Sequence, residues 1–343
     1  MSALTGLRFV AAAAVVGVHM DNWFGLTGIP HRLLRNGNLG VTFFFVLSGF
    51  VLTVTYRPGT LAYYWRRFAR IYPLHLLTWV AALLIIPLSI SPAIPEFLQG
   101  LVLQQDWSRA WTGSGGYLNA PAWSLTCEVF FYALFPFIIT RLPRTTDGLV
   151  RGAAGCVVGM GLAAGALHLV LPTKRAEALT TYLPPYRLGE FVVGMLLARL
   201  VMTGWEMPRT ARRLMVLTSA SLLVGQPPTM ALRQLMLVPG AMVLIAWGAS
   251  ATSWLGSRPL VLLGRQSYAL YLCHAVVYEA LAPHLAPGKG ASAGVLLSAF
   301  LVVAALLHHA WESPLERRLK LAALSGPWVS RRIPTPGLAP DLV

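Results

Sequence analysis

The sequence predicts an all-α membrane protein, about ten transmembrane helices in one bundle with both termini on the cytoplasmic side. Three observations predict it. Of 343 residues, 56% are hydrophobic and only 11% are charged, whereas an ordinary soluble domain carries about 25% charged residues. Apolar runs long enough for a hydrocarbon core of about 30 Å recur along the chain, from residue 7 to residue 312. The basic residues gather in alternate connecting segments, the pattern left when cytoplasmic loops hold back Lys and Arg.

The spans fall at about 7–26, 39–57, 71–90, 118–139, 150–171, 184–203, 211–225, 232–250, 260–284 and 291–312. Gln226, Pro227 and Pro228 interrupt the end of the seventh. Segment 91–117, with Phe97, Leu101, Trp107 and Trp111, is too polar and Gly-rich to span and reads as an interfacial stretch. Loops after the even-numbered spans, with the tail, carry 18 Lys and Arg residues, and the opposite loops carry 7. That excess holds in every loop pair, so an even number of spans and two cytoplasmic termini are expected. Residues 1–320 then form one transmembrane domain, and the Pro-rich stretch 321–343 a disordered cytoplasmic tail.

The formal charge of +15 would suggest nucleic acid in a soluble protein. Here it serves orientation, so no nucleic-acid partner is expected. Cys127, Cys156 and Cys273 lie in apolar runs with no CxxC pair and no His at metal spacing, which predicts neither a disulfide framework nor a metal site. The first run carries Arg8, His19 and Asp21 and lacks a small-residue cleavage site. It reads as a retained first helix.

An ionisable side chain inside a span costs several kcal/mol, roughly, so each one needs a partner or a function. Arg8 and His19 are eleven positions apart, about 20° off one helical line, and about 16 Å apart along the axis. A structural hydrogen bond and a functional role suit a mid-membrane His equally well. Ser124, Glu128 and Tyr132 follow at steps of four on the fourth span. Measured from the predicted cytoplasmic ends, His19 and Glu128 lie at similar depth, which would let the carboxylate orient the imidazole as a general base, or form a purely structural pair.

Arg67 and Arg70 sit at i and i+3 before the third span. Two guanidinium forks on one face suit phosphate oxygens such as those of coenzyme A, and they equally suit plain positive-inside charge. Arg187 and Glu190, also at i and i+3, read either as a self-neutralising pair or as substrate contacts. His308 and Glu312 at i and i+4 suggest a local pair, and His75 and His274 are further polar candidates.

Together these segments resemble the bacterial acyltransferase-3 family. LTGLRFVAAAAVVGVHM resembles the family's opening helix, with its basic residue, ten intervening residues and a histidine. GNLGVTFFFVLSGFVLT resembles its second span, RRFARIYPLHLL its Arg-x-x-Arg entry to the third, and PAWSLTCEVFFYALFP its Trp-Ser-Leu-x-x-Glu segment. RLGEFVVGMLLA, GRQSYALYLCHAVV and ESPLERRL follow in family order, so the likeness runs from about residue 4 to 320. Thr42 departs from the pattern where many members are acidic, as do Val129 and Phe130 after the glutamate.

The resemblance implies acyl transfer from acyl-CoA at the cytoplasmic face to a hydroxyl of a sugar, polysaccharide, lipid or secondary metabolite. It implies His19 as catalytic base with Arg8, Arg67, Arg70 and Glu128 as partners. From the residues' own chemistry, Arg67 and Arg70 are expected to contact CoA, and Ser124, Tyr132, Arg187 and Glu190 to contact the substrate. No Gly-x-Ser-x-Gly elbow points to a serine nucleophile. A compact chain with no appended extracytoplasmic domain fits a tailoring enzyme for a sugar or macrocyclic natural product in a bacterial inner membrane; modification of an envelope polysaccharide or glycolipid is the near alternative. A transporter would share the spans and buried charges, yet transporters often show related halves and no repeat is present here.

Overall fold

A computed structural model describes residues 2–57, 60–86, 94–112, 118–225, 227–250, 254–285 and 290–325. Among them every regular element is helical. The α-helices in order are α1 (Ser2–Phe24), α2 (Gly28–Leu34), α3 (Gly40–Val54), α4 (Thr60–Ile85), α5 (Ile94–Leu101), α6 (Gln105–Thr112), α7 (Trp123–Ile138) and α8 (Thr146–Val170). They continue as α9 (Thr173–Tyr182), α10 (Pro184–Met202), α11 (Arg209–Val224), α12 (Met230–Ser250), α13 (Arg258–Leu281), α14 (Gly290–Leu307) and α15 (Ser313–Ser325).

Each expected span has its helix, and eight helical stretches of the described residues are long and apolar enough to cross a membrane. The chain is therefore a multi-pass membrane protein. Two expected spans fall outside that set. Helix α10 carries Arg187, Glu190 and Arg199, and α11 has only 16 residues.

Two boundaries differ from the sequence reading in ways that matter. Helix α1 starts at Ser2, five residues before the expected 7, and α4 starts at Thr60, eleven before the expected 71. In both places a basic segment reads as a span end in sequence, whereas its arginines continue the helix and turn inward. Arg67 and Arg70 are thus helix residues inside the bundle, not flanking ones. Helix α15 runs through Ser325, past the expected start of the tail at 321, and the tail beyond 325 lies outside the described residues. The segment expected at the interface contains α5 and α6, two short helices.

Small residues set the closest helix contacts, as expected where lipid removes the hydrophobic drive for helices to associate. A Cβ at Gly49 of α3 would stand 1.9 Å from the Phe191 carbonyl oxygen of α10, and one at Gly194 would stand 1.9 Å from that of Val46. Only a missing side chain lets these backbones meet. Gly264 does the same for α1 and α13, where a Cβ would meet the Thr5 oxygen at 1.9 Å. Because Thr5 faces Gly264 and His19 faces His274, α1 and α13 run parallel. Helix α7 runs oppositely, and its Phe131 and Phe135 pack with Phe45 and Phe191 as fully buried rings of the core.

Candidate functional site

Helices α1, α3, α4, α7, α13 and α15 enclose a cavity of about 280 Å³. Its open end carries Lys320, 41% exposed at the side chain, and its closed end carries Ser124 and Tyr271, each 6% exposed. Between them lie Arg8, Ser48, Arg67, Arg70, Glu128, Tyr132 and Tyr268. Of the residues expected from sequence, Arg8, Arg67, Arg70, Ser124, Glu128 and Tyr132 therefore share one wall-to-wall site.

The three arginines are not equivalent. Arg70 Nη1 lies 2.6 Å from a Glu312 oxygen and 3.0 Å from one of Glu316, so two carboxylates already compensate it. His308 in turn holds the other Glu312 oxygen at 2.9 Å, the i to i+4 pair expected, on a π-helical turn over His308–Glu312. Arg67 has no carboxylate within ion-pair distance among the described residues; its guanidinium sits 5.9 Å and 5.8 Å from the Tyr63 and Tyr132 ring centres. Arg8 likewise forms no ion pair among the described residues. Two cations thus face the cavity with Glu128 as the nearby counter-charge, an anion-attracting arrangement.

The hydroxyls at this site are already committed. Tyr132 donates to Glu128 at 2.7 Å, and Ser48 lies 3.4 Å from the Tyr132 oxygen. Tyr271 donates to the Pro121 carbonyl at 2.9 Å, which leaves its oxygen to accept from Ser124 at 2.8 Å.

His19 stands elsewhere. Its Nδ1 is 2.7 Å from His274 Nε2, its ring stacks on that of His274, and Trp23 lies beside it. The expected pairing of His19 with Glu128 does not form, because the observed helix ends change the depths. With a rise of 1.5 Å per residue from Ser2 and back from Ile138, Arg8 lies about 9 Å deep, Glu128 about 15 Å and His19 about 26 Å. Glu128 is accordingly a neighbour of Arg8 and Tyr132. The histidine pair lies beyond the closed end, where the Tyr271 ring stands 6.2 Å from that of His274.

Arg187 and Glu190 do not reach the cavity either. They are 1% and 0% exposed and 3.0 Å apart, and Thr42 bridges them by donating to Glu190 at 3.1 Å and accepting from Arg187 at 3.2 Å. Their self-neutralising reading holds, and the substrate-contact reading gains no support from this placement. The hydroxyl of Thr42 fits between the two charges where an acidic side chain would add a second carboxylate.

Ser48, Tyr268, Tyr271, Glu316 and Lys320 were not singled out from sequence. The tyrosines sit in GRQSYALYLCH at i and i+3, and Glu316 and Lys320 sit at i and i+4 in the closing helix, so helical spacing was the available signal. Outside the spans, Asp106 of α6 is fully buried. Burial pushes its carboxyl up to about 8, offset only in part by Arg109 and the Thr126 hydroxyl. Among the described residues no cluster of His, Cys, Asp or Glu could hold a metal ion.

Comparison with known proteins agrees with this picture. The acyltransferase-3 model, described as an acyltransferase domain, matches residues 1–309. The acyltransferase MdmB of Streptomyces mycarofaciens is 32% identical over 364 residues, which cover 93% of this chain and 92% of the relative. No solved structure matches. Matched by the family over nine-tenths of its length, this membrane-embedded chain with its buried arginine site belongs to the acyltransferase-3 family and is an acyltransferase.

Proposed function

We propose that this enzyme takes an acyl group from acyl-CoA bound through the arginine cavity and delivers it to a hydroxyl of a sugar or macrocyclic natural product. His19 is the general base. One observation carries the reading: Arg8 and Arg67 face a single cavity without acidic partners among the described residues, and its closed end lies one tyrosine ring from the histidine pair. Arg67 suits the donor's phosphates, with Arg70 tied to Glu312 and Glu316, and Lys320 tied to Glu316 at the cavity mouth. The thioester then points inward, toward a base about 16 Å beyond Arg8 along α1.

For transfer, His19 takes the acceptor's hydroxyl proton as the oxygen attacks the thioester carbon. The tetrahedral intermediate expels the CoA thiolate, which recovers the proton from the imidazolium. Because the Tyr271 ring separates cavity from histidine, this route requires that ring to swing aside when the acyl chain enters. The same reading sets ten spans, both termini cytoplasmic and the cavity open to the cytoplasm in a bacterial inner membrane. Loop charge supports that orientation.

The test uses purified protein in nanodiscs with radiolabelled acetyl-CoA and longer acyl-CoAs against a panel of sugar, macrocyclic and glycan hydroxyls. Label should transfer to a small-molecule acceptor, and His19→Ala should abolish transfer while CoA still binds. Full activity in His19→Ala would sink the base assignment. Transfer only to envelope glycan would replace the acceptor class.

A further inference from the structure

Resting on His19 as the base, we infer that His274 is a positioning residue that fixes which nitrogen of His19 carries the lone pair. His274 is fully buried on α13, and its two ring nitrogens have different partners. Its Nδ1 lies 3.2 Å from the Leu270 carbonyl oxygen one turn back. A carbonyl oxygen only accepts, so this nitrogen carries the proton and the neutral ring offers its lone pair at Nε2.

That lone pair faces His19 Nδ1 at 2.7 Å. The proton in this contact therefore belongs to His19 Nδ1, and the remaining lone pair of His19 lies at Nε2, the nitrogen on the other side of the ring. His19 Nε2 makes no hydrogen bond among the described residues, and the side chain is only partly buried, so the basic nitrogen is the one left for an acceptor hydroxyl. The stack of the two rings, centroids 4.9 Å apart and 17° from parallel, holds the same orientation by contact.

This is the orienting role that a second group plays behind a catalytic histidine. Glu128 does not take it, since its bond goes to Tyr132. Once His19 gains the acceptor's proton, the His274 lone pair also accepts from the charged ring, a stronger bond than from the neutral one.

Two polar substitutions separate the role from simple packing. In His274→Asn the amide reaches only the position of Nδ1, which keeps a donor for Leu270 and withdraws the acceptor from His19. In His274→Gln an amide oxygen reaches the position of Nε2 and restores the acceptor. In nanodiscs with acyl-CoA and a reactive acceptor, Asn should lower kcat about 10- to 100-fold with the KM for the donor unchanged, and Gln should recover most of it. Combining Asn with His19→Ala should cost nothing beyond His19→Ala alone.

Equal kcat in the wild type and His274→Asn overturns the inference, as does Gln being as slow as Asn. A loss confined to donor KM also overturns it. Full activity in His19→Ala refutes the base itself, whereas an inactive His19→Ala with an unaffected His274→Asn refutes only the positioning role.

Discussion

Arg67 and Arg70 look alike in sequence, yet the structure predicts opposite consequences for their removal. Arg67 forms no ion pair among the described residues, with the Tyr63 and Tyr132 rings beside it and Glu128 as a more distant counter-charge, so Arg67→Gln would remove the charge-assisted contact proposed for a donor phosphate. Such a bond is worth about 1.5–3 kcal/mol, which is roughly 10- to 150-fold in the Kd for CoA. The fold loses little, because no carboxylate is left stranded. Arg70→Gln does the reverse: Glu312, 2% exposed at the side chain, keeps only His308, while Glu316 retains Lys320.

Breaking a buried pair costs about 3–5 kcal/mol, and with the Arg70 side chain 24% exposed a discounted cost of about 2–3 kcal/mol is expected. Direct binding of CoA to purified protein, with thermal unfolding of the same samples, reads both effects without knowledge of the acceptor. Arg67→Gln should weaken CoA with Tm held, and Arg70→Gln should lower Tm with a smaller change in affinity. An unchanged Kd in Arg67→Gln would remove the cavity as the donor site. Equal losses of affinity with Tm held in both would refute the argument from compensation.

Other outcomes follow from packing and titration. Gly194→Val places a branched side chain where even a Cβ would meet the Val46 carbonyl at 1.9 Å; because backbone must move, the cost exceeds the usual 1–3 kcal/mol, roughly, of overpacking, and little folded protein should survive size-exclusion chromatography. Asp106 holds its proton up to a pH of about 8 in the folded state, against a reference value of 3.8. The folded state binds the extra proton, so Asp106 favours folding below the reference value, and that contribution is lost as pH rises through the folded value. Tm should fall between pH 5 and pH 9, and Asp106→Asn should flatten that slope; an identical slope in the variant would show that other groups set it.

Much of this fold was legible because lipid imposes a simple code. Each expected span has its helix, since an apolar run in a bilayer has few other ways to satisfy its backbone. What failed were boundaries next to arginine. Arg8 and the Arg67–Arg70 pair read as the edge of the membrane, when in fact they face a polar cavity that sequence cannot display. That error carried into the site: with α1 begun five residues late, His19 and Glu128 fell at one depth, and the true start separates them by about 10 Å.

Six of the expected residues still converge, because i to i+4 spacing on α7 and i to i+3 spacing on α4 fix a shared face whatever the helix ends are. Neither the choice between Glu128 and His274 as partner of His19 nor the role of α15 could be read. Both depend on which helices are neighbours, and hydropathy carries no such information.

The ring wall at the closed end of the cavity has an electrical consequence. Phe44 and Tyr271 meet edge to face, ring centroids 6.2 Å apart, between a charged compartment and two imidazoles. A histidine pair within a membrane bundle is the kind of group that passes protons, and a membrane potential drives each charge by about 2.3 kcal/mol per 100 mV. The Tyr271 ring stands between the cavity and His274, so opening the proposed route for the acyl chain would also open a path between the cavity and the imidazoles. An entering acyl chain would itself fill that path, replacing one apolar plug with another as the wall gives way.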